Sequence, residues 1–270
     1  MSDPLADRQR LRSAAYVDDT KLAARQAIYR FAERPWPSDG GRVLGAVTLR
    51  GDEVVVDVGC GNGNDIRDLQ RSGFGGTILG LDLSVGMLAT VAPLGVPLAN
   101  ADAATLPLRE GAADVALAMH MLYHCPDIAA TVAELRRVVR RDGTLVVSTN
   151  SRAHFHELRA HWTASLSEAS GIAIDPWQSA AERFSLEDAP AVLAASFEDV
   201  RLERTDNRLL VPSVEPVVAY VESTRDLSGH DVTDEVWAAA IELLRAQVES
   251  VIAEDGALEL TVVKGVLVAR

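Results

Sequence analysis

Cysteine is scarce in this chain: only Cys60 and Cys125 occur among its 270 residues. Neither has a second cysteine nearby. The chain can therefore form neither the disulfide framework of a small secreted domain nor a zinc site built on a Cys-x-x-Cys pair. We predict no disulfide scaffold and no bound metal.

Long hydrophobic runs are also missing. The longest, such as residues 115–119 and 145–147, have the length of a β-strand, whereas a membrane-spanning helix needs about 20 apolar residues. Residues 1–12 carry charges with no apolar stretch behind them, which is unlike a secretory signal. The sequence therefore predicts a cytoplasmic protein with no membrane partner.

Positive charge is in short supply, because 26 lysines and arginines stand against 39 acidic residues, a formal net charge of −13. Proteins that bind nucleic acid usually carry a basic patch that displaces counterions from phosphates. The densest basic cluster here is predicted to lie at the end of a helix, where it would complement the helix dipole. It consists of Arg136, Arg137, Arg140 and Arg141. We therefore expect a small-molecule partner and no nucleic acid, and a monomer or homodimer.

Predicted strands and helices alternate between residues 43 and 150. Apolar segments such as "DEVVVDVG" and "GTILGLDL" alternate with amphipathic ones such as "DIAATVAELRRVVRRDG", a helix expected to stop at Gly143. This alternation is typical of a parallel sheet with helices on both faces. The final "ALELTVVKGVLVAR" predicts antiparallel strands with a turn at Lys264 and Gly265. The expected fold class is α/β: a Rossmann-like doubly wound sheet, mostly parallel with a C-terminal antiparallel hairpin, plus a helical lid.

A glycine-rich turn follows the first predicted strand. The segment "DVGCGNGND" holds Asp57 and, at alternate positions, Gly59, Gly61 and Gly63. A phosphate-binding P-loop would need a lysine followed by Ser or Thr after its last glycine, and the segment has none. A dinucleotide site needs the spacing G-x-G-x-x-G, and Asp57 would repel a pyrophosphate. An acid there suits a cation, such as an amino group, or a set of backbone donors.

The same segment resembles motif I of the class I S-adenosylmethionine-dependent methyltransferases, D-x-G-x-G-x-G, which residues 57–63 match without departure. The resemblance extends over residues 51–150, through "LDLSVGML", "NADA", "LPLREGAADVALAMHMLYHCPD" and "ELRRVVRRDGTLVVS". It departs at Arg141 and Asp142, where the family often has Pro-Gly. The resemblance implies a Rossmann-like fold, S-adenosylmethionine as the cofactor, and methyl transfer as the activity.

The resemblance also implies roles for residues at the predicted strand ends. The Asp82 carboxylate would accept the ribose hydroxyls, Met87 would pack against adenine, and Asp102 with the backbone N–H of Ala103 would bind the adenine ring. Acids at three strand ends agree with the rule that open α/β sheets bind ligands there. The expected cofactor-binding residues are Tyr16, Asp57, Gly59, Cys60, Gly61, Asn62, Gly63, Asp82, Leu83, Met87, Asp102, Ala103 and Met119.

Two histidines are candidate catalytic residues. His120 is expected at the end of the fourth strand, beside the place of the sulfonium, and His124 follows within the same turn. A general base helps when the acceptor is a hydroxyl, whereas an amine or thiol needs less help. The family often has a histidine near His124 whatever its substrate, so a structural role for this residue is the alternative.

The residues after the fifth strand are expected to form the substrate pocket. Segment 151–190 is rich in aromatic residues although the whole chain has only 5%, which suits a lid over an apolar or aromatic acceptor. His154 and His161 are seven residues apart and are predicted to share a helix face. The pocket candidates are His120, His154, Phe155, Trp162 and Trp177.

Four segments are expected along the chain. Residues 1–41 would form an N-terminal helical cap over the cofactor, and 42–150 the S-adenosylmethionine-binding core. Residues 151–250 would form a helical substrate lid with an interleaved core strand, and 251–270 the strands that complete the sheet.

The predicted function is methyl transfer to an N, O or C atom of a small molecule, in bacterial secondary metabolism. Three alternatives stay open: an RNA or protein methyltransferase, an NAD-dependent oxidoreductase, and a catalytically silent cofactor-binding subunit.

Overall fold

A computed structural model describes residues 3–35, 45–177 and 179–270. Within these ranges seven strands form one mixed sheet in the order β3-β2-β1-β4-β5-β7-β6. The strands are β1 (Val54–Val58), β2 (Thr77–Asp82), β3 (Leu98–Asn100), β4 (Ala113–Met119), β5 (Val139–Asn150), β6 (Val200–Val211) and β7 (Leu258–Ala269). Strands β1 to β5 pair in parallel, whereas β7 runs antiparallel to both β5 and β6. The predicted fold class is confirmed.

The described helices cover both faces of this sheet. They are α1 (Arg8–Arg10), which continues as a wider helical turn over Leu11–Ala15, α2 (Thr20–Ala27), α3 (Asn64–Arg71), α4 (Val85–Val91), α5 (Ile128–Val138), α6 (His156–Ser170), α7 (Ala189–Ala194), α8 (Glu215–Ser223) and α9 (Asp234–Asp255). Short 3₁₀ turns lie at Ile28–Phe31, Ala92–Leu94, Leu122–His124, Ala180–Glu182 and Arg225–Leu227.

The central strands are apolar on both faces because each face is covered by helices. Val146 and Val147 are neighbours in β5 and both fully buried, yet they belong to different hydrophobic clusters. Alternate side chains of a strand point to opposite faces. One cluster contains Ile66 of α3, and the other contains Leu135 of α5.

A further hydrophobic cluster joins the long helices of the second half to the outer ends of β6 and β7. The rings of Trp162 on α6 and Trp237 on α9 meet edge to face, with 4.6 Å between their centroids. Leu209 and Leu260, which are register partners in β6 and β7, lie in the same cluster. Helices α6 and α9 therefore pack against the antiparallel strands β6 and β7.

The predicted turn at Lys264 and Gly265 is wrong, because β7 is continuous through both residues. A Cβ at Gly265 would lie 2.8 Å from Leu186 Cδ2 and 3.0 Å from the carbonyl oxygen of Glu203. Gly265 thus permits close approach of neighbouring chain segments, not a reversal of direction. The antiparallel partner of β7 is β6, which precedes α8 and α9.

The helix expected to run to Gly143 ends at Val138, where Val139 becomes extended. Arg140 then lies in β5 and pairs through Nε with Asp114 Oδ1 at 2.9 Å. Only two of the four clustered arginines, Arg136 and Arg137, occupy the last helical turn. Complementing the helix dipole therefore accounts for only part of this cluster.

The predicted boundary between residues 41 and 42 lies outside the described residues. Among the helices that are described, none combines the length and the apolar character that crossing a membrane requires.

Candidate functional site

Two adjoining cavities lie where β1, β2, β4 and β5 end. The larger cavity has a volume of about 250 Å³ and is lined by residues of the glycine turn, the ends of β2 and β4, and the N-terminal segment (residues 3–35). The smaller cavity, of about 110 Å³, lies between the N-terminal segment, α6 and α8. Carboxyl ends of parallel strands are where open α/β sheets bind ligands, so both cavities are candidate binding sites.

The glycine turn after β1 has the left-handed backbone that favours glycine. The φ angles of Gly59, Gly61 and Gly63 are 71°, 52° and 76°. The amide of Gly59 donates to the carbonyl of Leu81 at 2.7 Å, which ties the turn to β2. The turn segment 59–62 lines the larger cavity. Gly63 directly precedes α3, and its α-carbon faces Val91. It is not among the residues that line the larger cavity, so its contribution is to the conformation of the turn.

Asp82, at the end of β2, presents its carboxylate to the larger cavity. Oδ2 accepts the amide of Gly61 at 2.9 Å, and Oδ1 accepts the amide of Ser84 at 2.8 Å. Burial nevertheless raises the pKa of Asp82 above its ordinary value, against the effect of these hydrogen bonds. Further donors from a ligand would stabilise the ionised form.

Asp57 lies beneath the glycine turn and is 1% exposed. Neither carboxylate oxygen has a hydrogen-bond partner among the described residues. Burial, with the charges of Asp65 and Asp82, raises the pKa of Asp57 well above its ordinary value. Asp57 lines neither cavity, so the structure does not place it at the wall of the candidate site, and its role in cofactor binding stays a prediction. Its side chain is buried under the turn, where the raised pKa favours the protonated form in the absence of a cation.

Beyond Asp82, the larger cavity is bounded by Leu83, Met87 and the loop that contains Asp102 and Ala103. The Asp102 carboxylate accepts the amide of Ala104 at 2.9 Å through Oδ1. Its Oδ2 pairs with Arg8 Nε at 2.6 Å. The sequence analysis missed Arg8, which comes from the N-terminal segment and carries no local signal of this contact.

Cys60, Asn62 and Met119 also line the larger cavity, as predicted for cofactor-binding residues. Burial and the nearby charges of Asp57 and Asp82 raise the pKa of the Cys60 thiol, so it stays neutral. The side-chain amide of Asn62 donates to Gln26 Oε1 at 2.9 Å. This bond connects the glycine turn to α2.

Tyr16 and His124 join the N-terminal segment to the turn after β4. His124 Nδ1 donates to the carbonyl of Leu5 at 2.8 Å, which leaves Nε2 as the acceptor for the Tyr16 hydroxyl at 2.7 Å. Burial lowers the pKa of His124 to about 4, so the ring is neutral near pH 7. Both ring nitrogens hold the N-terminal segment, which favours the structural interpretation of this residue.

His120, directly after β4, has φ 52°. This is an uncommon conformation for a residue other than glycine, and such residues are frequent at functional sites. The His120 amide donates to Ser148, at 3.1 Å to the carbonyl and 3.0 Å to Oγ. The side chain lines the larger cavity, so His120 is placed where the sequence predicted it.

Three of the pocket candidates after β5, namely His154, Phe155 and Trp177, line the smaller cavity. Trp162 does not, because it is fully buried against Trp237 in the hydrophobic cluster of α6 and α9. The prediction that Trp162 lines the pocket is therefore wrong.

His154 precedes α6 and does not share a helix face with His161, contrary to the prediction. Its Nδ1 accepts the amide of Val263 at 3.2 Å, and Nε2 therefore donates to the Tyr29 hydroxyl at 2.9 Å. Burial, followed by the charges of Lys264 and Arg159, lowers the pKa of His154 well below its ordinary value. His154 is thus uncharged near pH 7 and lines the smaller cavity.

Several lining residues were not predicted from the sequence. Six residues line both cavities and so define the junction between them. Two of the six, Tyr16 and His124, were predicted as site residues. The other four were not: Arg25, Tyr123, Asn150 and Tyr220. Asn150 had a usable signal, since it ends β5 and strand ends line such sites. Arg25 and Tyr220 lie on separate helices without any motif, so only the fold brings them together.

A family model described as a methyltransferase domain matches residues 56–147. The matched region runs from β1 into β5 and includes the glycine turn, Asp82, His120 and His124.

Curated relatives are similar over part of their length. The chain is 35% identical over 156 residues to the ubiquinone biosynthesis O-methyltransferase of Methylococcus capsulatus, which covers 51% of this chain and 65% of that protein. The matches to other curated relatives span 32% to 48% of those proteins. The chain therefore spans less than two thirds of these relatives.

Solved structures are similar over most of the chain. One is a putative methyltransferase from an antibiotic biosynthesis pathway of Anabaena variabilis, with a TM-score of 0.60 and 18% identity over 86% of this chain and 96% of that chain. Another is the cyclase SpnF, with a TM-score of 0.55 and 17% identity over 96% of both chains. At these identities the similarity concerns the fold, and proteins named for different reactions share it.

Proposed function

The chain belongs to the class I S-adenosylmethionine-dependent methyltransferase superfamily, and from this premise we propose that it transfers a methyl group from that cofactor to a small-molecule acceptor. The observation that carries the proposal is the pair of adjoining cavities, one lined by the motif residues of the superfamily and the other by aromatic and cationic side chains.

The larger cavity fits a cationic nucleoside better than a phosphate ligand. Asp65 and Asp82 line it next to the glycine turn, and the unpartnered carboxylate of Asp57 lies beneath that turn. Its cationic lining residues come from the N-terminal segment and β7, namely Arg8, Arg12, Arg25 and Lys264. Acidic groups so close to the start of α3 offset the attraction that a helix N-terminus has for phosphate. A positively charged ligand would lower the free energy of all three carboxylates.

The residues that would hold S-adenosylmethionine come from four places in the fold. The backbone of 59–62 would hold the amino-acid end, and the Asp82 carboxylate would accept hydrogen bonds from hydroxyl groups. Leu83 and Met87 give an apolar surface, and Asp102 with Ala103 offers an acceptor and a backbone donor. When bound, the cofactor supplies a methyl group that its sulfonium already activates.

The protein's own contribution is alignment of the acceptor beside the larger cavity. Asn150 lines both cavities, and its Oδ1 is buried without a hydrogen-bond partner among the described residues. An acceptor O–H or N–H donated to this oxygen would be held at the junction. His120 is the candidate to receive the proton that the nucleophile loses, since it lines the larger cavity at the end of β4, whereas both His124 nitrogens hold the N-terminal segment.

The N-terminal segment would act as a cap that excludes water from this junction. Arg8, Tyr16 and Arg25 all reach the cavities from it, and the Ser84 hydroxyl donates to the Tyr16 carbonyl at 2.6 Å. Exclusion of water strengthens electrostatic interactions inside a site. Residues 151–250 would correspondingly supply the wall on the acceptor side.

A small-molecule acceptor agrees with the volume of the smaller cavity, about 110 Å³, and with the net charge of −13. Secondary metabolism is part of the proposal. It is supported by the structural similarity to a putative methyltransferase of an antibiotic pathway, and the name of the Methylococcus relative likewise concerns a biosynthetic small molecule.

Isothermal titration calorimetry with S-adenosylmethionine, S-adenosylhomocysteine and NAD tests the cofactor. We expect both sulfur compounds to bind and NAD not to bind. Binding of NAD alone would refute the proposal. Release of S-adenosylhomocysteine in the presence of a panel of small phenols, amines and carboxylic acids then tests methyl transfer itself. Tight cofactor binding with no release for any acceptor would favour a catalytically silent subunit.

A further inference from the structure

The smaller cavity has a charge pattern opposite to that of the rest of the molecule. The chain has a net charge of −13, and the larger cavity has a mixed lining in which Asp65, Asp82 and Asp102 stand beside Arg8, Arg12, Arg25 and Lys264. Among the described residues, no Asp or Glu lines the smaller cavity, whereas Arg25 and Arg159 both do. The acceptor side of the junction is therefore electropositive.

Both guanidinium groups have donor capacity left over. Arg159 on α6 donates from Nη2 to the carbonyl of Arg152 at 2.6 Å, and its buried Nη1 has no partner among the described residues. Arg25 on α2 donates from Nη1 to the carbonyl of Ser223 at 2.6 Å, and its buried Nη2 is likewise unpartnered within the described ranges. Neither arginine pairs there with a carboxylate. Buried charged donors without acceptors are costly, and for Arg25 the Tyr16 ring, whose centroid lies 5.1 Å from the guanidinium carbon, offsets part of that cost. An anionic ligand would supply the missing acceptors.

The charge of both arginines reaches the interior of the cavity. Burial raises the pKa of Tyr220 to about 12, while Arg25 and Arg159 oppose that rise. Arg159 also contributes, after burial and Lys264, to the low pKa of His154. Both titrating side chains line the smaller cavity, so the charges of the two guanidinium groups act on the same cavity.

Aromatic rings form the other walls. Phe155 meets Tyr220 edge to face with 5.3 Å between centroids, and Trp177 lies 6.4 Å from the same Tyr220 ring. Ring faces and edges at these distances are suited to packing against another ring. The cavity thus combines an aromatic wall with two separate cationic donors.

We infer that the acceptor is a small aromatic carboxylate whose carboxylate binds Arg159 and Arg25 in the smaller cavity, with its nucleophilic group at the junction near Asn150. Each arginine has one guanidinium nitrogen without a hydrogen-bond partner in the described chain, Nη2 of Arg25 and Nη1 of Arg159. Two such donors match a carboxylate, which has two acceptor oxygens and a single negative charge. Arg159 lines only the smaller cavity and Arg25 lines both, so Arg159 would hold the carboxylate end away from the cofactor. This inference rests on the proposed function, because it specifies the acceptor of that same site.

The test is calorimetry on the full chain saturated with S-adenosylhomocysteine, using three probes of matched shape. They are 3-hydroxybenzoate, its neutral analogue 3-hydroxybenzamide, and 3-hydroxyphenyl phosphate. We expect the carboxylate to bind at least about tenfold more tightly than the amide, as expected for a charge-assisted contact. Equal binding of carboxylate and amide, no binding of the carboxylate, or tightest binding of the phosphate would each overturn the inference.

Variants then assign the contact. Arg159→Met should weaken binding of the carboxylate at least about tenfold, because one charge-assisted hydrogen bond is lost. The affinity for the amide should not change. Arg159→Lys should restore part of the loss. Arg201→Met is the matched control, because Arg201 lies on β6 with its side chain 60% exposed and pairs with Glu203. An Arg159→Met protein that binds the carboxylate as tightly as the wild type would contradict the assignment.

Failure of this inference can be told apart from failure of the proposed function. If S-adenosylhomocysteine does not bind the wild-type protein, the proposed function fails. If it binds while the carboxylate shows no preference over the amide, only the inference fails. Should Arg159→Met not fold, as judged by lost S-adenosylhomocysteine binding and a changed circular dichroism spectrum, the wild-type comparison of carboxylate and amide decides alone.

Discussion

Single residues at the strand ends carry the chemistry of the larger cavity. Asp82 combines a conventional position at the end of β2 with two backbone hydrogen bonds that fix its carboxylate. Asp57 carries the same functional group one strand away, but it is buried with no partner in the described chain. The two acids therefore lie in different environments: Asp82 is at the cavity wall with two backbone donors, and Asp57 is buried without a hydrogen-bond partner in the described chain.

Asp82→Asn should weaken S-adenosylhomocysteine binding by roughly 10- to 100-fold, because a charged acceptor is replaced by a neutral amide. The side-chain size is kept, but the amide accepts only one of the two backbone N–H groups that the carboxylate binds, so the thermal midpoint without ligand should fall slightly. Calorimetry gives the affinity, and differential scanning fluorimetry provides the check on folding. Unchanged affinity in a folded variant would refute the ribose-binding role.

At the scale of elements, the N-terminal segment is held to the core by contacts with several distant residues. Arg8 pairs with Asp102, Lys21 with Asp226, and Tyr16 with His124. Most of these contacts are polar and partly exposed, and exposed ion pairs contribute little individually. We therefore expect the segment to open locally at a lower free energy than the sheet.

Gly86 offers a way to displace this segment without changing a cavity residue. A Cβ at Gly86, in the first turn of α4, would lie 1.8 Å from the carbonyl oxygen of Val17. Gly86→Ala should therefore push residues 16–18 outward, although alanine favours the helix itself by about 1 kcal/mol.

Hydrogen exchange should then show lost protection over residues 5–20, and S-adenosylhomocysteine affinity should fall roughly tenfold as the closed population drops. Val85→Ala is the control, since Val85 is 67% exposed on the same helix. Normal protection and affinity in Gly86→Ala would mean that the segment does not depend on this contact.

Gly265 tests the packing of the antiparallel strands. Gly265→Ala should lower the free energy of unfolding by about 1–3 kcal/mol, because the added methyl overfills the space between Leu186 and Glu203. Gly45→Ala is the matched control, since a Cβ there meets no atom within 4 Å. Urea denaturation gives both values. A loss of unfolding free energy no larger than that of the control would show that a methyl group fits at this position of β7.

At the scale of the whole molecule, two buried neutral histidines link stability to pH. Burial lowers the pKa of His124 to about 4 and that of His154 well below its ordinary value. The unfolded chain therefore binds protons on these rings at a higher pH than the folded chain does. Their contribution to stability is complete above the unfolded pKa and is lost as the pH falls.

For His124 alone, acidification from pH 7 to pH 5 should cost about 2 kcal/mol of unfolding free energy. His124→Asn keeps a donor for the Leu5 carbonyl but cannot titrate, so its stability should fall less over the same interval. Urea denaturation of both proteins at the two pH values isolates this difference, because the other titrating groups are common to both. Parallel losses in both proteins would exclude a linkage through His124.

The sequence by itself determined the cofactor half of this protein. The alternation of strands and helices predicted the parallel sheet, and Asp57, Asp82 and Asp102 marked three strand ends. These signals are readable because each is local, with a motif next to the strand that it terminates. The wrongly predicted turn at Gly265 shows the limit of local reasoning. A glycine is needed there because Leu186, which is distant in the sequence, packs against its α-carbon.

Only the tertiary structure decided the acceptor half. Arg25, Arg159 and Tyr220 lie on three helices far apart in the chain, and no spacing rule connects them. Trp162 and Trp177 look equivalent in the sequence, yet one is core and the other lines the smaller cavity. Helix packing, which depends on contacts between distant side chains, determines which faces turn inward. That same packing places two cationic groups in one cavity of an otherwise acidic protein.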